Sequence, residues 1–267
     1  DSCTAVSALN NLSQTNQATI AGNLVDYLNN TYYSSNPIEY WIIANEPDLA
    51  KTCSPAGGMD LGAQTSAATI ASYVKEFATK MKDKDNTIKI IGPELARYGN
   101  DNGSSGGTYY NPSNKIMDDL INNPANASSI TGTITTGNGT GEYYIDYVSF
   151  HYYPDPPSRA AVIADPTNTQ NGFYGNVRND GNSGNQWKGL AEMIVNNSTG
   201  RALTGSTALG IACTEFNLDN NNTSNDESSP TGYANMVKDE DYRSYLGGQW
   251  MAEVLCQAMN SGIQFMC

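Results

Sequence analysis

Five short apolar runs, separated by stretches with helical periodicity, constrain the fold of this chain more than any other feature. The runs are YWIIA at 40–44, IKIIG at 88–92, YVSF at 147–150, LGIACT at 209–214 and IQFM at 263–266. Strands apolar on both faces must be covered on both, which is the habit of parallel sheets flanked by helices. Between them, residues 15–32 place Ile20, Leu24, Tyr27 and Leu28 at helical spacing, and 66–84, 113–123, 187–197 and 241–260 also read as helices. Strands are expected over 38–46, 87–94, 142–153, 208–217 and from Gly262 onward. This alternation predicts βαβ units and an α/β fold.

Two parallel architectures compete. A doubly wound sheet should carry a Gly-rich phosphate turn after an early strand, and none is present. A (β/α)8 barrel sets reactive side chains just past the C-terminal ends of several strands. Here the strand ends read Asn45-Glu46, Glu94, His151-Tyr152-Tyr153 and Glu215. The expectation is therefore a (β/α)8 barrel, with residues 1–267 forming part of one catalytic domain.

The totals narrow the function. With 14 Lys+Arg against 27 Asp+Glu, the formal charge is −13, which disfavours nucleic acid and anionic membranes as partners. No apolar run approaches the ~20 residues of a membrane span. A surface vocabulary of Asn, Ser, Thr, Gly and Tyr with few Lys suits an extracellular protein. Among the five cysteines there is no CxxC pair, so metal or thioredoxin-type chemistry is not indicated. Cys3 and Cys53, both in polar loop sequence, form the candidate disulfide; Cys213 and Cys256 lie in apolar context and read as buried thiols. The acidic loop 219–230 could take a calcium ion, but the functional reading requires no metal and no cofactor.

Glu46 and Glu215 carry the chemistry. Glycoside hydrolysis needs two carboxyl groups across one glycosidic bond, one to protonate the leaving oxygen and one to attack the anomeric carbon. Two glutamates on rigid strand ends can meet that need. His151 is the only histidine, and no G-x-S-x-G elbow accompanies it, so a serine hydrolase is not indicated. Glu94 ends the second strand, where it could contact substrate or pair with Arg97. Trp187, Tyr109, Tyr110, Phe173 and Tyr174 are candidate platforms for sugar rings.

The ordered motifs Asn45-Glu46-Pro47, His151-Tyr152-Tyr153 and Thr214-Glu215-Phe216 resemble the Asn-Glu-Pro, His-x-Tyr and Thr-Glu-Phe signatures of the large clan of retaining (β/α)8 glycoside hydrolases. The resemblance runs from Ile38 to about Phe265 and does not identify the member family. It implies that Glu46 is the acid/base and Glu215 the nucleophile, that Asn45 bonds the sugar 2-hydroxyl, that Tyr153 donates to Glu215, and that His151 contacts substrate. It also implies that the five strands are strands four to eight, with one to three supplied by a longer parent chain or another polypeptide. The expected activity is cleavage of a β-linked polysaccharide by double displacement; the rival is a non-catalytic structural or carbohydrate-binding protein on a hydrolase-type barrel.

Overall fold

The computed structural model describes residues 12–48, 66–95, 116–121, 129–152, 201, 205, 207–216 and 245–267. Within them lie helix α1 (Gln14–Val25), continued by a π-helical segment Asp26–Tyr32, strand β1 (Tyr40–Ile42), helix α2 (Ala67–Lys84) and strand β2 (Lys89–Leu95). Helix α3 (Ile116–Ile121), strand β3 (Tyr147–Tyr152), strand β4 (Gly210–Phe216), helix α4 (Tyr245–Asn260) and strand β5 (Phe265–Met266) follow. The expected helix at 187–197, the loop 219–230 and the Cys3–Cys53 pairing lie outside the described residues.

The five strands form one sheet in the order β1-β2-β3-β4-β5, and every pair is parallel. Each strand joins beside its predecessor without reversal. That is the winding of a barrel wall rather than of a doubly wound sheet, whose strand order turns back at a switch point. Curvature confirms it. Tyr40 of β1, Tyr147 of β3 and Phe265 of β5 meet on one face, with ring centroids 4.9 Å apart for Tyr40–Phe265 and for Tyr147–Phe265. Side chains from alternate strands stacking in a layer is the packing of a barrel interior.

On the other face, Val148, Phe150 and Cys213 join Ile70 and Val74 of α2 and Val254 and Ala258 of α4 in one buried cluster. Burial pushes the Cys213 thiol well above its ordinary range. Cys256 differs from expectation and is exposed, because it falls between the buried positions Val254 and Ala258 and so on the opposite side of α4.

Helix α1 also differs. Ile20, Leu24 and Tyr27 are exposed, whereas Ala18, Gly22, Val25 and Asn29 are buried. The small-residue stripe lets α1 approach α2 so closely that a Cβ on Gly22 would lie 2.6 Å from the Lys80 carbonyl oxygen. Asn29 then ties the end of this helix to both neighbours, donating to Asp85 Oδ2 at 2.7 Å and accepting from Ile38 N at 2.9 Å. Ser66 caps α2 by accepting from Thr69 N.

Below the sheet, at the N-terminal ends of β2 and β3, sits a buried polar cluster. Lys82 has no exposed surface; its Nζ donates to Tyr143 O at 2.7 Å and to Asp146 Oδ2 at 2.8 Å. Burial lowers the Lys82 pKa while Asp146 works to raise it. Arg201 donates to Ile145 O at 2.8 Å and lies over the Tyr143 ring, and burial brings its guanidinium down to about 10. This end of a barrel carries stability, and the opposite end carries function.

Candidate active site

The C-terminal ends of β1 to β4 bring together Glu46, Glu94, His151 and Glu215, four of the residues singled out by sequence. The imidazole of His151 is the hub. Its Nδ1 lies 3.2 Å from Glu46 Oε1 and 3.4 Å from Glu215 Oε2, and its Nε2 lies 3.0 Å from Glu94 Oε2. One oxygen from each of Glu46 and Glu215 and one ring nitrogen of His151 all fall within 4.8 Å of one another. A small divalent cation could share those three atoms only if Nδ1 gave up its proton. With that proton in place the nitrogen is a donor and the cluster is hydrogen-bonded.

Backbone geometry aims these groups. Ala44, Glu46 and Glu94 adopt positive φ of 79°, 47° and 60°, conformations that cost about 1–3 kcal/mol each for such residues and persist where the surroundings enforce them. The ladder of β1 therefore stops at Ile42, short of the expected Glu46, and the chain turns to present the carboxylate. The turn is pinned by Glu46 N donating to Glu94 O at 2.8 Å. Strand β2 runs through Gly92-Pro93, with a register shift against β3 between Gly92 and Leu95. A second shift, between Phe150 and His151, sets His151 opposite Glu215. Strand β3 begins at Tyr147, not at 142, because Tyr144 N donates instead to Gly132 O and Thr133 bridges Tyr143.

Exposure separates the three carboxylates. The Glu215 side chain is 44% exposed, Glu46 20% and Glu94 5%, and His151 is fully buried. Glu94 is held from two sides: Thr214 Oγ1 donates to its Oε2 at 2.6 Å, and its backbone N donates to Ser149 Oγ at 2.9 Å. Its Oε1 is buried and has no hydrogen-bond partner among the described residues. Burial alone would lower the His151 pKa, but the hydrogen bonds to Glu94 and Glu46 and the charge of Glu215 outweigh it and raise the value above ordinary imidazole.

Asn45 is half-buried beside Glu46. Tyr153, Trp187, Arg97, Tyr109, Tyr110, Phe173 and Tyr174 lie outside the described residues. Sequence reasoning gave no role to Thr214 or Ser149. The signal for both was a small hydroxyl residue inside an otherwise apolar strand, in YVSF and IACT, where a buried hydroxyl needs a partner.

A parallel sheet wound in sequence order, with carboxylates and an imidazole gathered past its strand ends, defines a half-barrel of the (β/α)8 type. The profile of glycoside hydrolase family 44 matches residues 2–156, and the chain belongs to that family. No curated protein sequence matches it. Among solved structures, a family 44 endoglucanase from Clostridium acetobutylium ATCC 824 superposes with a TM-score of 0.56 at 18% identity, over 92% of this chain and 45% of its own. Cel44A, a family 44 endoglucanase from Clostridium thermocellum, gives 0.53 at 19%, over 92% and 46%. A family 44 xyloglucanase from Paenibacillus polymyxa gives 0.54 at 14%, over 92% and 45%, and has also been solved with xyloglucan. The chain thus spans less than half the length of each structure it matches.

Proposed function

We propose that this chain carries the catalytic residues of a retaining glycoside hydrolase acting on a β-glucan such as xyloglucan. The observation that supports it is that one carboxylate oxygen of Glu46 lies within 4.8 Å of one of Glu215, at the strand ends of a family 44 chain. Inverting enzymes hold their carboxyls roughly 6.5–9.5 Å apart to admit a water, and retaining ones about 5–5.5 Å apart. The names of the related endoglucanases and xyloglucanase favour a β-glucan over mannan, and that of CelM2, a bifunctional glucanase-xylanase, keeps xylan among the substrates to be tested.

In this reading the more exposed carboxylate, Glu215, attacks the anomeric carbon while Glu46 protonates the departing oxygen. Glu46 then takes a proton from the water that releases the sugar. Asn45 bonds the 2-hydroxyl, Tyr153 donates to Glu215, and Trp187 offers a sugar platform. The enzyme is extracellular, residues 1–267 form part of one barrel domain, and the remaining barrel strands come from the parent chain or another polypeptide. A purely structural barrel would have no use for three strained non-glycine residues, which cost stability.

The test is digestion of xyloglucan, mixed β-glucan, mannan and xylan by the complete protein, with NMR of the first-formed reducing end. Release of the β-anomer from a β-glucan is expected. First-formed α-anomer would overturn retention, and no cleavage of any polymer would leave the carbohydrate-binding alternative.

A further inference from the structure

We propose that Glu94 is the fixed counter-ion of His151, a positioning residue that does not meet substrate and that holds the imidazole doubly protonated with Nδ1–H aimed between Glu46 and Glu215. The role in catalysis rests on the double-displacement reading above; the pairing itself does not.

Hydrogen-bond arithmetic leads there. An ionised carboxylate only accepts, and among the described residues His151 faces carboxylates on both nitrogens: Glu94 on Nε2, Glu46 and Glu215 on Nδ1. Both contacts are satisfied together when both nitrogens carry protons. Glu94 is built to fix that state. Its Oε2 collects the His151 and Thr214 hydrogen bonds, its neighbour Oε1 is buried without a described partner, and a buried carboxylate in that condition is tolerable only beside a positive charge. It meets the ring at the nitrogen opposite the one that faces Glu46 and Glu215, and its side chain is far less exposed than that of Glu215.

The catalytic cycle gives the arrangement a purpose. In the first step a Glu215 oxygen donates its electron pair to the anomeric carbon, the glycosidic C–O bond breaks, and the leaving oxygen takes the Glu46 proton. Negative charge has moved from Glu215 to Glu46, and both lie within reach of the same Nδ1–H. In the second step Glu46 accepts a proton from water as the water oxygen bonds the anomeric carbon, and the bond to Glu215 breaks, returning the pair to its carboxylate. At each stage the imidazolium faces one negative charge at Nδ1 and the unchanging Glu94 at Nε2, so it need not gain or lose a proton.

The groups facing the imidazole among the described residues are Glu46 after β1, Glu94 on β2, and Glu215 with the Thr214–Glu94 contact on β4. The experiment is a heteronuclear NMR titration of the His151 ring in the complete protein, assigned by its disappearance in His151→Asn. The wild type should show both ring nitrogens protonated at neutral pH and a midpoint above the ordinary value of about 6.5. Glu94→Gln should lower that midpoint by about one pH unit or more. It should move the high-pH limb of kcat with it and lower kcat on an activated aryl glycoside while leaving KM within about threefold.

Thr214→Val, which removes a donor from Glu94 but keeps its charge, should leave the midpoint at or above the wild-type value, a sign that general disruption would not produce. A singly protonated ring in the wild type overturns the proposal even if Glu94→Gln does not fold. So does an unmoved midpoint in Glu94→Gln, or a raised KM with unchanged kcat, which would place Glu94 on the substrate. The titration decides the pairing whether or not the protein cleaves glycans.

Discussion

Gly210 is bare where the ring of Tyr147 lies. The two residues pair across β3 and β4, and a Cβ on Gly210 would collide with Tyr147 Cδ1 and Cε1 and with Gln264 Oε1. That ring packs against Tyr40 and Phe265 in the interior layer, so it cannot move without disturbing strands on both sides. Gly210→Ala should cost about 1–3 kcal/mol, the usual penalty for overpacking. Urea denaturation checks it. The penalty should shrink in a Tyr147→Ala background, since the double variant removes the clash with the ring and leaves only that with the flexible end of Gln264; equal penalties in both backgrounds would mean that the ring is not what excludes the methyl.

Lys82 offers a second test at the opposite end of the sheet. Truncating one member of a buried ion pair leaves the other uncompensated, which costs about 3–5 kcal/mol, whereas replacing both with apolar groups of similar volume is often nearly neutral. Lys82→Met should therefore be strongly destabilising, because Asp146 would keep, among the described residues, its bond from Ile90 N, the 3.5 Å contact with Lys89 and the more distant charge of Arg201. Lys82→Met with Asp146→Leu should recover part of the loss. A mild effect of the single change would show that Asp146 is better hydrated than its burial suggests.

The existence of the five strands and the residues at or just past their C-terminal ends were legible because both depend on local pattern. An apolar run followed by Glu46 or containing Glu215 near its end says which carboxylate a strand delivers, though not the residue at which its ladder stops. The α1 face was not legible. Ile20, Leu24 and Tyr27 form the more apolar stripe, but the Ala18-Gly22 stripe permits the closer helix contact, and close packing prevailed over hydropathy. Nor could sequence show that Glu94 would turn inward. Its direction follows from a positive φ and from Thr214, a residue 120 positions away in the chain. The buried Lys82–Asp146 pair was equally hidden, since charged residues at helix and strand ends normally read as solvated.

The pH dependence of stability should carry two signatures. The folded pKa of His151 lies above its unfolded value, so the folded state binds this proton more tightly. That stabilisation is fully present below about 6.5 and is lost as pH rises through the raised folded value. Burial opposes the charge on Asp85, but hydrogen bonds from Thr87 and Asn29 outweigh it and lower its pKa, so its contribution is present above about 3.9 and fades as pH falls through the depressed value. Melting temperatures of wild type and His151→Asn measured from pH 5 to 9 should converge as pH rises above neutrality. A gap that is constant across that range would mean that folding does not shift the imidazole pKa, and a wild type that loses stability relative to the variant as pH falls would mean that the imidazole is neutral in the folded protein.

The two glutamates proposed as acid/base and nucleophile should separate by substrate. Glu215→Ala deletes the nucleophile and should abolish turnover of every glycoside, while Glu46→Ala leaves attack possible when the leaving group needs no proton. With an activated aryl glycoside, the Glu46 variant of the complete protein should release one burst of phenol and stall as a glycosyl-enzyme. Azide, small and already anionic, should then rescue turnover and yield a β-glycosyl azide. His151 sharpens the expectation, because its Nδ1–H would remain free to stay on Glu215 once Glu46 is gone, so the first step should be slowed less than the second. Equal loss in both variants on the activated substrate, with no azide product, would remove Glu46 from the acid/base role; undiminished activity in either would end the double-displacement reading.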